Sequence, residues 1–251
     1  MTPVILYKHM KDFVCQDTSR PVFQHIWFDG EYAIATNTHV LCAVKHKAEP
    51  HFETADGTPV ELEYQYPDWK KVVLKDNEFD TKITLDSKVM DHLDTWIRLL
   101  KFIVQTTKKK KKGVKAAFHI HTICLERRGG KLLLYFLMTG GSIPVKAELL
   151  SGLPEDKDFR IYLNAKYLLY ALNFIKDTDA DSIDWVFRHP ERAGRTELRA
   201  GDMRITICAI LIRECQDDWG KKLTSFIEEK AKENTSAAKP ETETNNLDFL
   251  D

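Results

Sequence analysis

Six lysines crowd into eight positions of this chain: Lys108, Lys109, Lys110, Lys111, Lys112 and Lys115. They follow a stretch with helical apolar spacing, so their ammonium groups would complement a helix C-terminus and be placed to meet phosphates. On charge alone the same run also suits a solvated loop. Other groups able to do chemistry are present but not arranged for it. The nine histidines show no metal-ligand spacing: His119 and His121 alternate along a strand-like run, yet no cysteine or carboxylate accompanies them. Asp177, Asp179 and Asp181 begin like a calcium loop but lack its glycine and bidentate glutamate. No glycine-rich phosphate loop and no serine elbow occur, and Gly129-Gly130 and Gly140-Gly141 read as hairpin turns at strand ends. These residues point to a binding protein, with no enzyme activity, metal or cofactor expected.

The elements that would position them follow one plan three times: a short apolar strand, a helix, then alternating strands. The clearest copy runs from Phe159 to Ile212. Phe159, Ile161 and Leu163 make a strand, Asn164 is a plausible N-cap, and Tyr167, Leu168, Ala171, Leu172 and Ile175 repeat at helical spacing. Strands are expected over Ile183 to Phe187, Thr196 to Arg199 and Arg204 to Ile212. The second copy spans Lys82 to Glu148, with a strand at Ile83 to Leu85 and a helix opened by Ser87 and running to about Gln105. Strands at Ala116 to Glu126, Lys131 to Met138 and Ile143 to Leu149 complete it. The first copy, Val4 to Lys45, is shorter. Its helix is expected at about Tyr7 to Val14, followed by strands over Pro21 to Phe28 and Glu31 to Lys45 around the Asp29-Gly30 hairpin signal.

At 251 residues the chain is long enough for two compact domains and a tail. The expected division is 1–78, 79–213, an amphipathic helix over 214–233 carried by Trp219, Leu223, Phe226 and Ile227, and a flexible acidic tail over 234–251. From Glu214 onward ten acidic residues face five basic ones, which leaves four net positive charges on the body. The scattered cysteines Cys15, Cys42, Cys124, Cys208 and Cys215 read as reduced thiols of a cytoplasmic protein. No signal peptide or membrane-length apolar run is present.

Several short motifs, taken in order, resemble a known family. They are Arg20-Pro21, Asp29-Gly30, Thr36-Asn37-Thr38-His39-Val40-Leu41, Tyr66-Pro67-Asp68-Trp69 and Tyr162-Leu163-Asn164-Ala165-Lys166-Tyr167-Leu168-Leu169, closed by an apolar strand. This order is similar to the middle and end of the bacterial β sliding clamp, which carries Thr-Asp-Gly-His-Arg-Leu, Phe-Pro-Asp-Tyr and Phe-Asn-x-x-Tyr-Leu. The resemblance covers roughly residues 4 to 212. It implies an α+β DNA-clamp fold, with repeated strand-helix-strands units and helices on one face of antiparallel sheets. It also implies helix-borne cations that meet duplex phosphates without reading bases: Lys8 and Lys11, then Lys88, Arg98 and Lys101, then Lys166 and Lys176, besides the lysine run.

The family's second site is a hydrophobic pocket for short peptides from polymerases and clamp loaders. The matching positions are Thr36, His39 and Leu41, then Pro67, then Asn164 and Tyr167, then Cys208, Ala209 and Ile210. Asn37, Thr38 and Val40 replace the family's Asp, Gly and Arg, and its Met-Pro-Met-Arg-Leu closing strand is absent. The implied function is a sliding-clamp-like DNA polymerase processivity factor of a reduced, phage-like plan. Its partners would be duplex DNA, a polymerase and a clamp loader, and no membrane. Two similar domains per chain would close a six-domain ring as a trimer, whose chains pair head to tail at their sheet edges. The alternative is a clamp-fold adaptor or decoy that binds replication proteins without encircling DNA. Asn246-Leu247-Asp248-Phe249-Leu250 resembles the short clamp-binding peptide, with its aromatic and aliphatic residues exchanged. A flexible stretch of about a dozen residues precedes it and would let it reach about 20 Å.

Overall fold

The computed structural model describes residues 2–107, 121–138, 143–154, 156–178, 180–189, 194–210 and 218–236. The chain divides into two units, Met1–Leu211 and Ile212–Asp251. In the first, α1 (Pro3–Met10) is followed by β1 (Ile26–Phe28), β2 (Tyr32–Thr36), β3 (Val40–Lys45), β4 (His51–Glu53), β5 (Pro59–Val60) and β6 (Thr81–Leu85). Then come α2 (Ser87–Met90), α3 (Leu93–Thr107), β7 (Thr122–Arg128), β8 (Lys131–Met138), β9 (Ile143–Leu150) and β10 (Phe159–Asn164). Helix α4 (Ala165–Lys176) and strands β11 (Ile183–Arg188), β12 (Arg195–Ala200) and β13 (Met203–Cys208) close the unit. The second unit holds α5 (Asp218–Ser236), over the stretch whose apolar spacing predicts a helix.

Two antiparallel sheets result. Nine strands run in the order β5-β4-β1-β2-β3-β13-β12-β11-β6, and four in the order β10-β7-β8-β9. The seam of the larger sheet is β3 against β13, with Val40 opposite Ile207, Cys42 opposite Ile205 and Val44 opposite Met203. Early and late parts of the chain therefore share one continuous sheet. Helices α3 and α4 lie side by side, with α3 against β8 and α4 against both β10 and β13. Both sheets thus lay a face on the same helices. Leu93, Trp96, Ile97, Leu100 and Ile103 of α3 and Leu168, Ala171, Leu172 and Ile175 of α4 join the inner residues of both sheets in one core. The apolar run of β3 is explained by burial on two sides. Val40, Cys42 and Val44 face this core, while Leu41 and Ala43 face a smaller cluster with Ile34, Tyr66, Trp69 and Val73.

Local physics moves several expected elements. The first helix starts at Pro3, not near Tyr7: a proline at the first helical position gives up no hydrogen bond, and Leu6 and Met10 form its buried face. It ends before Phe13 and Val14, which are buried in the following turn, and residue 4 lies inside the helix, not in a leading strand. The expected Pro21 to Phe28 strand is a 3-10 turn over Pro21–Gln24 and a strand only from Ile26, because the proline ring fixes φ in a turn conformation. The helix expected from Ser87 to Gln105 is two helices. Ser87 opens the first as expected, capped by Asp86, which accepts from Val89 N at 3.1 Å, and His92 N tightens to Val89 O at 2.9 Å before α3 begins. Asn164 caps α4 as its type predicts, accepting from Lys166 N at 2.9 Å.

A buried carboxylate ties down the segment that crosses from β5 to β6. Glu197, fully buried on β12, accepts from Leu74 N at 2.8 Å, from Thr206 Oγ1 at 2.8 Å and from Arg199 Nε at 2.7 Å. Arg199 Nη2 donates in turn to Leu74 O, and Arg195 Nη1 to Val72 O. A buried charge is tolerated only when its lone pairs are occupied in this way.

Candidate functional site

The turn between β2 and β3 is built by its own side chains. Thr36 Oγ1 donates to Val40 O at 2.8 Å and accepts from Thr38 N at 3.0 Å. Asn37 Oδ1 accepts from His39 N at 3.0 Å and Val40 N at 3.1 Å, an Asx-type turn. The result puts Thr38 at φ 75°, left-handed backbone that a β-branched residue rarely adopts. Its hydroxyl accepts from Arg20 Nη1 at 2.8 Å. His39 O accepts from Cys208 N at 2.9 Å, which fixes the turn against the end of β13.

Two hollows flank this turn. The first, about 210 Å³, is apolar: Phe23, Val40, Leu41, Tyr66, Pro67, Trp69, Val72 and Cys208 wall it, with Thr36, Thr38 and His39 at its side. The tryptophan is held by Asp29, whose Oδ2 accepts from Trp69 Nε1 at 2.9 Å. Burial pushes the Asp29 carboxyl up, but hydrogen bonds from Glu31 N, Trp69 and Tyr32 N outweigh it and hold the group below its ordinary value. Burial raises the Cys208 thiol, so it acts here as a small apolar group. The second hollow, about 560 Å³, is a polar cleft lined by Lys11, Arg20, Lys166, Tyr167 and Tyr170 together with Asp12 and Asp17. Thr38 and His39 line both. Burial raises the Tyr167 hydroxyl despite the opposing Lys166 charge, and the ammonium of Lys166 is itself raised, first by its bond to Tyr170.

Of the positions named from the sequence, Thr36, His39, Leu41, Pro67 and Cys208 meet at the apolar hollow and Tyr167 faces the cleft beside it. Asn164, Ala209 and Ile210 line neither. Asn164 is spent on capping α4, Ala209 N donates to Gly194 O at 3.0 Å, and Ile210 N donates to Tyr162 O at 2.8 Å. Phe23, Tyr66, Trp69, Val72, Arg20 and Tyr170 complete the walls without having been singled out as site residues. The signal for two of them is the aromatic pair flanking Pro67 and Asp68.

The helix cations are differently placed. Lys11, Lys88, Arg98 and Lys101 are exposed. Lys8 and Lys176 are exposed as well but are paired, Lys8 Nζ with Asp177 Oδ2 at 2.5 Å and Lys176 with Asp94. Lys166 is half-buried over the Tyr170 ring at 5.4 Å. Lys108 to Lys112, Lys115 and the tail residues Asn246 to Leu250 lie outside the described residues. Among the described residues no group of histidine, cysteine and carboxylate side chains is placed to hold a metal ion, and no helix is long and apolar enough to cross a membrane.

No family model matches the chain, and no curated protein matches its sequence. Solved structures do match its fold. The DNA polymerase III beta chain of Streptococcus pneumoniae aligns with TM-score 0.62 and 15% identity, over 83% of this chain and 62% of that one. The DNA polymerase sliding clamp of Bacillus subtilis aligns with TM-score 0.61 and 14% identity, over 83% and 62%. The Helicobacter pylori beta clamp bound to a DNA ligase peptide aligns with TM-score 0.57 and 15% identity, over 83% and 63%. The chain therefore spans less than two thirds of the length of these clamps. At such identities the likeness is one of fold, and the chain has the sliding-clamp fold: α+β, with helices against antiparallel sheets.

Proposed function

We propose that this chain is a sliding-clamp-like DNA polymerase processivity factor, which holds duplex DNA without reading its sequence and recruits replication proteins through the paired hollows. The observation that carries this reading is the meeting of Leu41, Pro67 and His39 at an apolar hollow beside Tyr167, in a fold shared with a clamp solved with a DNA ligase peptide. An apolar hollow walled by Trp69, Tyr66 and Phe23 suits a Leu-and-Phe anchor, and the cations of the adjoining cleft suit an acidic flank on the same peptide. A polymerase and a clamp loader are the partners proposed. Residues 1–78 and 79–213 are read as two clamp-like domains sharing the β3–β13 seam. The ring would be homo-oligomeric. The tail segment Asn246 to Leu250 is proposed as a second, internal peptide of the same kind.

Two measurements test this. A Gln-Leu-x-Leu-Phe peptide should bind at micromolar affinity and lose it in the Tyr167→Ala variant. The protein should also be retained on nicked circular duplex and run off when the circle is cut. Peptide binding without retention on circles selects the adaptor, and loss of both ends the clamp reading. Replacing Lys108 to Lys112 together by Ala should weaken retention and flatten its salt dependence; an unchanged slope removes those lysines from the DNA contact.

A further inference from the structure

We propose that the Tyr66 hydroxyl is a donor held for the side chain that anchors a bound peptide, so that the apolar hollow favours an anchor with an acceptor oxygen at its tip, a tyrosine over a phenylalanine. The inference rests on reading that hollow as the peptide site. Tyr66 walls it and is only 8% exposed, and its hydroxyl is buried without a partner. Buried phenols and indoles ordinarily find one. This chain follows that habit elsewhere: Tyr135 donates to Glu126 Oε2 at 3.1 Å, Trp185 Nε1 to Thr196 Oγ1 at 2.7 Å and Trp69 Nε1 to Asp29 Oδ2 at 2.9 Å. Tyr66 breaks it, and does so in the wall of the candidate site.

The surroundings explain why the hydroxyl stays unpaired. Phe23 stands edge-on to the Tyr66 ring with centroids 5.9 Å apart, Trp27 lies nearly parallel at 6.2 Å and Phe52 is tilted at 6.2 Å. None of these side chains carries an acceptor oxygen. Oxygens around the hollow are committed elsewhere: Thr36 Oγ1 donates to Val40 O, Thr38 Oγ1 accepts from Arg20 and Asp68 Oδ1 accepts from Lys70 N at 3.1 Å. Burial pushes the phenol above its ordinary value, so it stays a neutral donor. The motif that Tyr66-Pro67-Asp68-Trp69 resembles opens on phenylalanine, a ring of the same shape that leaves nothing unsatisfied. The extra oxygen therefore costs the free chain stability. An anchor entering the hollow parts the side chains that close over the hydroxyl. A tyrosine tip then gains a hydrogen bond, whereas a phenylalanine tip leaves the donor buried and unpaired.

The test sets two peptides against the wild type and the Tyr66→Phe variant of the full chain. By isothermal titration the wild type should bind Gln-Leu-x-Leu-Tyr about tenfold more tightly than Gln-Leu-x-Leu-Phe. Tyr66→Phe should reverse that order, since the peptide's own hydroxyl then lacks its partner. Melting temperatures of the free proteins give a second readout. Tyr66→Phe should melt about 2–4 °C above the wild type, whereas Tyr135→Phe, the same change at a bonded hydroxyl, should melt below it. A wild type that binds both peptides equally or prefers phenylalanine overturns the proposal, as does a Tyr66→Phe variant that melts no higher or keeps the preference for tyrosine. Those results leave peptide binding by the hollow standing. Failure of both peptides to bind the wild type ends that reading, and the proposal with it.

Discussion

The ring of His39 lies parallel to that of Tyr167, with centroids 6.3 Å apart and planes 12° from each other. One residue sits on the β2–β3 turn and the other in the first turn of α4, so this stack is where the two hollows meet. Tyr167 is half-buried and exposes the cleft side of its ring, whereas Leu41 is 3% exposed and carries both a hollow wall and part of a core.

Tyr167→Ala should therefore cost peptide affinity about tenfold while lowering stability by about 1 kcal/mol or less, since anchors at such sites commonly exceed 1 kcal/mol in binding. Leu41→Ala should lower both, with about 2–3 kcal/mol of stability lost as for other buried leucines. Isothermal titration paired with urea unfolding separates the two. Peptide binding that survives Tyr167→Ala would assign the ring to packing alone.

Thr38 gives a second prediction, from its backbone. A residue held at φ 75° is strained by its Cβ, and glycine is not. Comparing Thr38→Gly with Thr38→Ala removes the hydroxyl from both, so the difference reports the Cβ. The glycine variant should be the more stable by about 1 kcal/mol. Equal stability would mean that the turn relaxes out of the left-handed region.

Glu197→Ala should be among the most damaging single changes outside the apolar core. It leaves Leu74 N, Thr206 Oγ1 and Arg199 Nε without their acceptor in a buried place. The expected loss is about 3–5 kcal/mol by denaturant unfolding. Since the released segment includes Trp69 and Val72, peptide binding should fall with it. A loss under about 1 kcal/mol would show that water replaces the carboxylate.

Acid sensitivity should trace partly to Asp177. Donation from Lys8, then from His9 at 2.7 Å, holds its carboxyl below the ordinary value. A group depressed in the folded state adds stability that is present above its unfolded value of 3.8 and is lost as pH falls through the lower folded value. Asp177→Asn should thus lower the melting temperature at pH 7, and the gap to wild type should close below about pH 3.8. The effect is modest because Lys8 is largely exposed. A gap that persists unchanged to pH 3 would place the contribution in shape and not in charge.

Much of the local structure was legible because its causes are local. Strand β8 was placed residue for residue, and α4 was bounded by the Asn164 cap and its own apolar stripe. Thr36, His39, Leu41 and Pro67 were picked out by the resemblance of their ordered motifs to the sliding-clamp family, and the fold brings all four to one hollow. Tertiary structure alone decided the rest. A period of two says which residues of β3 share a face, but not that β13 lies beside it, nor that Tyr66 and Trp69 cover its second side. Asn164 and Ile210 match by position yet line neither hollow: the Asn164 side chain is taken up by the helix cap, and the Ile210 backbone is bonded to Tyr162 O. The break between α2 and α3 was hidden for the same reason. Sequence patterns record what each segment can bury, whereas the segment that does the burying is chosen by the three-dimensional competition among all of them.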